Sequence, residues 1–219
     1  MISYSDIKEN EAIREYIKKA DESLLALGFT EHSFAHVEKV AVGVEYILGT
    51  LGYSKREIEL AKIAAYLHDI GNLVNRVEHS QSGAVMAFRI LDKLGMEPSE
   101  IATVVTAIGN HDEGTGVPVN NVSAALILAD KSDVRRTRVR NDDVASFDIH
   151  DRVNYSVIRS ELTVRPEEKE IWLELTVEDE YSSVMDYFEI FLDRMILCRK
   201  AAETLGMKFR LRINGQKLL

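Results

Sequence analysis

The chain has 219 residues, 46% of them apolar and only three proline, enough for one domain with a substantial core, or a domain with an appendage. A net charge of −9 argues against a broad nucleic-acid surface. No apolar stretch reaches the length of a membrane span, and the start lacks a signal peptide's basic flank and apolar run, so a cytoplasmic location is the default. In chain order, apolar residues at helical spacing predict a first helix over 6–27, with Gly28 as its stop. A second helix is expected over 33–51, with His36 beside its apolar stripe. Ser54 and Glu57 form a capping box for a third, which runs to His68. Gly71 then releases the backbone. A fourth helix should run from His79 to Gly95, and a fifth from Pro98 towards His111. Residues 112–119 read as a loop, and a sixth helix is expected over 121–136. The pattern changes after Arg152. Segments 157–164 and 171–177 alternate like the strands of a hairpin, a long helix fills 182–205, and 208–213 reads as a third strand. The expected fold is mainly α, a helical bundle over 1–152 with a small C-terminal β-β-α-β unit over 153–219 packed on it. The lone Cys198 excludes an intramolecular disulfide and reads as a core side chain.

Histidine is scarce, and four of the six histidines fall into one pattern with two aspartates: His36, adjacent His68 and Asp69, His79, His111 and Asp130. Imidazole nitrogens and carboxylate oxygens suit borderline divalent metals. Neighbouring residues on a helix point in different directions, so Asp69 is placed to bridge a second ion. Asp130 follows four apolar residues on a buried helix, where an unpaired carboxylate is costly and coordination removes the difficulty. His150-Asp151 repeats the dipeptide without further ligands near it, and His32 belongs to a polar, solvated helix entry. Neither is assigned to the site. Lys131, Arg135 and Arg136 follow Asp130 and are the candidate substrate-binding cations, Lys131 and Arg135 sharing a helix face at i,i+4. Arg138 and Arg140 are expected on the solvated side.

The order His36, His68-Asp69, then Asp130 in Leu128-Ala129-Asp130-Lys131 resembles the HD superfamily of metal-dependent phosphohydrolases, over roughly residues 30–140. His79 in His79-Ser-Gln-Ser-Gly83 and His111 in Asn110-His111-Asp112-Glu113 match the two extra histidines of its dinuclear members. The resemblance implies an HD-type helical bundle holding two divalent ions, iron or manganese first, with zinc, cobalt or nickel compatible. Asp69 would bridge them. His36, His68 and Asp130 would complete one side, His79 and His111 the other. It implies hydrolysis of a phosphomonoester or phosphoanhydride bond of a nucleotide-like small molecule by metal-activated water. Asp69, Lys131 and Asp133 would be catalytic, Lys131 or Arg135 would bind phosphate oxygens, and Asp133 or Asp112 would pass protons to the leaving group.

Asn72 stands where members that cleave cyclic dinucleotides carry lysine, and the loop after His111 is short, so that substrate is disfavoured. The closer likeness is to stand-alone bacterial HD hydrolases. Two other readings use the same ligand order: a di-iron oxygenase similar to inositol oxygenase, and a non-catalytic sensor or binding module. Against the last, a degenerate module need not keep six polar groups inward. The partner expected is a small phosphorylated molecule, without long nucleic acid or membrane. A homodimer through an exposed third strand is compatible with the pattern.

Overall fold

The computed structural model describes residues 1–219. Where the apolar spacing predicts one N-terminal helix, the chain forms two, α1 (Tyr4–Glu9) and α2 (Glu11–Ala26). Asn10 ends the first and caps the second by accepting from the Ile13 N–H, a role suited to a short polar side chain. Helices α3 (Phe34–Thr50), α4 (Lys55–Leu67), α5 (His79–Lys93) and α6 (Pro98–Gly109) follow their expected spans, and the Ser54–Glu57 capping box forms. Helix α7 (Asn121–Lys131) stops at Lys131 rather than Arg136. Ser132 Oγ returns to the Ala129 carbonyl at 2.8 Å, and Arg135 is extended, with φ −161° and ψ 147°. Lys131 and Arg135 therefore do not share a helix face, which corrects the i,i+4 expectation.

Helices α3, α4, α6 and α7 pack on one another around a shared interior, and every residue of α7 from Val122 to Ala129 is buried. Helix α8 (Ile149–Ser156) leads into β1 (Val157–Arg165) and β2 (Glu170–Val177), an antiparallel pair. Helix α9 (Val184–Thr204) is the crossover that lets β3 (Lys208–Ile213) pair parallel to β2. A tight turn through Asn214 and Gly215, both at positive φ, adds a two-residue β4 (Gln216–Lys217), giving the order β1-β2-β3-β4. The third strand is thus interior to the sheet. β4 pairs with Arg212 and Ile213 alone, so it flanks only the end of β3, and β1 is the long edge on the other side.

One hydrophobic cluster of 52 residues runs from Ile7 in α1 to Ile213 in β3. Helix α9 packs on α7 and on β3, so the helical bundle and the sheet meet across α9. The change of composition near 152 falls inside α8. No helix is long and apolar enough to cross a membrane.

Candidate metal centre

Four helix ends and one inner face converge on a single point. His36 lies in the first turn of α3, His68 caps α4, Asp69 begins the 3-10 turn Ile70–Leu73, His79 opens α5, His111 follows α6, and Asp130 lies near the end of α7. The four imidazoles are buried, at 0 to 3% exposure, and Asp69 is 6% exposed. Each histidine uses its Nδ1–H on a fixed acceptor. His68 donates to the Ala65 carbonyl at 2.7 Å, His79 to Arg76 at 3.1 Å, His111 to Ile108 at 2.6 Å, and His36 to Asp133 Oδ2 at 2.8 Å. That fixes the tautomer, leaving each Nε2 with an inward lone pair.

These lone pairs face one another and the two carboxylates. His36 Nε2 is 3.3 Å from His68 Nε2 and 3.3 Å from Asp130 Oδ1. His79 Nε2 is 3.2 Å from His111 Nε2. Asp69 divides its oxygens: Oδ2 lies 3.2 Å from His68 and 3.6 Å from His36, while Oδ1 lies 3.4 Å from His79 and 3.9 Å from His111. Bonds of about 2.0–2.2 Å to one ion set neighbouring ligand atoms about 3.0–3.5 Å apart. The ligand atoms of His36, His68 and Asp130 lie within 4.8 Å of one another, as do those of His68, Asp69 and His111. Six acceptors at such separations repel unless a cation lies between them, so the donor set fits divalent metal. The proton behaviour of these groups points the same way. Burial opposes charge on His68, but Asp69 and Asp130 outweigh it and push its pKa up to about 10. Burial likewise opposes ionisation of Asp69 and Asp130. Even so, His68 beside Asp69, and Lys131 with His36 and His68 beside Asp130, hold both carboxyls well below the usual range. Burial, with Arg76 beside His79 and His68 beside His111, keeps those two imidazoles below their ordinary value.

The second tier differs from what the chain order suggests. Asp133 is 1% exposed and bonded to His36, to Lys39 at 2.7 Å and to Arg135 at 2.9 Å. It orients His36, and does not line the cavity as the proton donor expected of it. Lys131 is buried between Asp130, at 2.9 Å, and Glu113, at 2.6 Å. Arg135 turns away to Glu31 and Thr137 and lines no part of the cavity. Arg136 is engaged by Glu178 and the Tyr155 carbonyl. Arg138, expected on the solvated side, is 5% exposed and lines the cavity, which corrects that assignment.

The cavity opens above Asp69, Asp130, His79 and His111 and holds about 320 Å³. Its cations are Arg76, Lys131, Arg138 and Arg194, and its apolar lining is Leu27, Phe29 and Phe191. His32 and His150, both set aside on sequence grounds, also line it, so all the histidines of the chain lie at or beside this site. Arg76, three positions before His79, was open to notice in the sequence. Arg194 on α9 carried no local signal at all.

A family model described as HD domain matches residues 33–154, more than half of the chain. An uncharacterized protein of Methanocaldococcus jannaschii is 25% identical over 201 residues, covering 81% of this chain and 76% of that protein. A solved structure described as a predicted HD superfamily hydrolase from an uncultured Thermotogales bacterium is 26% identical, covering 57% of this chain and 67% of that one with a TM-score of 0.45.

Proposed function

The chain belongs to the HD-domain family, and from that premise we propose that it is a metal-dependent phosphohydrolase acting on a small phosphorylated molecule. The observation that carries this reading is the all-acceptor cluster, in which Asp69 offers one oxygen to the His36–His68–Asp130 group and the other to His79 and His111. Divalent metals held there would polarise a phosphoryl oxygen and ease deprotonation of water near neutral pH. Everything else is done by the chain itself. Asp133 locks the His36 ring, and three backbone carbonyls lock the others. Arg76 has no carboxylate partner and sets Nη1 3.4 Å from His79 Nε2, where it can offset charge on a phosphoryl oxygen. Lys131 is already paired twice, so its part is to balance Asp130 and Glu113.

The cavity volume is at the lower end of the roughly 300–1,000 Å³ of small-molecule sites, which favours a nucleotide-sized ligand over a polymer. Leu27, Phe29 and Phe191 supply the apolar wall a nucleoside would need. A panel of phosphomonoesters and nucleoside di- and triphosphates, run with manganese, iron, cobalt and zinc, tests the reading alongside metal analysis. Hydrolysis should require metal, and the protein should hold about two ions per chain. His79→Ala should remove one of them and His68→Ala should abolish turnover. Oxygen consumption by the iron-loaded protein, with no phosphate compound hydrolysed under any metal, would overturn it.

A further inference from the structure

Two guanidinium groups in the cavity are held rigidly and left with unused donors. Arg194 donates from Nε to Glu113 Oε1 at 2.7 Å and lies 4.3 Å over the Phe191 ring, while its Nη1 and Nη2 have no hydrogen-bond partner in the protein. Arg138 donates from Nε to the Glu31 carbonyl and from Nη1 to the Asp133 carbonyl, both at 2.9 Å, and its Nη2 is free. Both line the cavity that contains Asp69 and Asp130.

The carboxylates nearest these two arginines are shared with other cations. Asp133 and Glu31 already serve Lys39 and Arg135, and Arg138 Nη1 stands 3.9 Å from the Asp133 carboxylate. Glu113 serves both Lys131 and Arg194, and the only other partner of Lys131 is Asp130, a candidate metal ligand. Arg138 and Arg194 therefore line the cavity with donors that no carboxylate takes up, which leaves them open to an anion. Asp148 and Asp151 also line the cavity, but Asp148 caps α8 through the Asp151 N–H and Asp151 is 3.4 Å from Asn141 Nδ2. Those carboxylates disfavour an anion beside them.

We propose that Arg138 and Arg194 form a clamp for a second phosphoryl group of the substrate, joined to the one presented to the metal cluster. This rests on the phosphohydrolase reading and narrows it: the substrate is a phosphoanhydride bearing at least two linked phosphates, not a simple phosphomonoester. Planar guanidinium forks with fixed stems match phosphate oxygens in a way a mobile lysine does not. Arg194 and Phe191 lie outside the segment matched by the family model, so α9 contributes one half of the clamp, while Arg138 lies within that segment.

The test is calorimetric binding to the full-length, manganese-loaded protein. The probes are methylenediphosphonate, whose P–C–P link cannot be hydrolysed, and methylphosphonate. Arg194→Gln, and separately Arg138→Gln, should weaken methylenediphosphonate about 10- to 100-fold and methylphosphonate by no more than about 3-fold, with metal content unchanged. Comparing variants removes the preference of diphosphonates for metal pairs, which all forms share. If Arg194→Gln loses metal, Arg194→Lys replaces it, keeping the charge and losing the fork, with the same selective loss expected. Equal weakening of both probes, or no weakening of the diphosphonate, overturns the clamp. Neither probe turns over, so the clamp can fail while monoester hydrolysis stands, and it can hold where no hydrolysis is found.

Discussion

Asp133 decides how firmly His36 is aimed. Its carboxylate accepts the His36 Nδ1–H at 2.8 Å, so the ring cannot rotate its Nε2 away from His68 and Asp130 without breaking a buried charge-assisted bond. Asp133→Asn keeps the shape and an acceptor oxygen but removes the charge that polarises the imidazole. Metal affinity should fall about 10- to 100-fold, read by competition with a chromogenic chelator. Unchanged affinity, with the variant folded, would show that His36 is positioned by packing alone. The contrast with His150 belongs to the same scale. His150 is exposed and borders the cavity from α8, so His150→Ala should leave metal content intact while His68→Ala loses metal. The six inward groups were legible in the chain because scarce polar residues sat at helix ends and on apolar faces. The role of Asp133 was not. It depends on where α7 stops, and the side-chain return of Ser132 to Ala129 that accompanies the stop leaves no periodic signal.

Between elements, the contact that sets one half of the centre is the docking of α5 on the 3-10 turn after His68. A Cβ on Gly71 would lie 2.0 Å from the His79 carbonyl oxygen and 2.5 Å from the Gly83 nitrogen, so only glycine lets the start of α5 approach. That approach carries His79 Nε2 to within 3.4 Å of Asp69 Oδ1. Gly71→Ala should push α5 outward, at a cost of about 1–3 kcal/mol or more from overpacking against backbone. It should deplete metal on the His79–His111 side before the His36–His68–Asp130 side. Metal titration of the variant against the wild type checks this, and full retention of both sides would mean that α5 can rotate without moving His79. The helix and strand spans were readable from periodicity and capping residues such as Ser54 and Pro98. The break at Asn10 and the interior place of β3 were not readable. The first needed a side chain that caps one helix where another ends, and the second needed β4, a strand of two residues and too short to give a periodic signal.

Across the whole molecule, Glu113 ties the bundle to the C-terminal unit, since it holds Lys131 on α7 and Arg194 on α9. Burial opposes its charge, but Lys131 and Arg194 outweigh that and hold its carboxyl well below the usual glutamate range. A depressed folded-state pKa stabilises above the unfolded value of about 4.3 and loses that contribution as pH falls below it. Glu113→Gln should therefore cost about 2 kcal/mol at pH 7, with the gap to wild type in urea melts narrowing progressively below about pH 4. A gap constant down to pH 3 would mean that the amide preserves whatever the carboxylate does. The same tie bears on cooperativity. The hydrophobic cluster includes Leu126 of α7, Phe191 of α9 and Leu173 of β2, so neither part can shed its share of the interior without exposing the other's. Trp172 on β2 is the single tryptophan and is 5% exposed, so its fluorescence reports the sheet, whereas helical circular dichroism reports mostly the bundle. In urea the two signals should trace one coincident transition. An earlier tryptophan transition would divide the chain into independently folding units, and Arg194 would then reach the cavity only when the second unit docks.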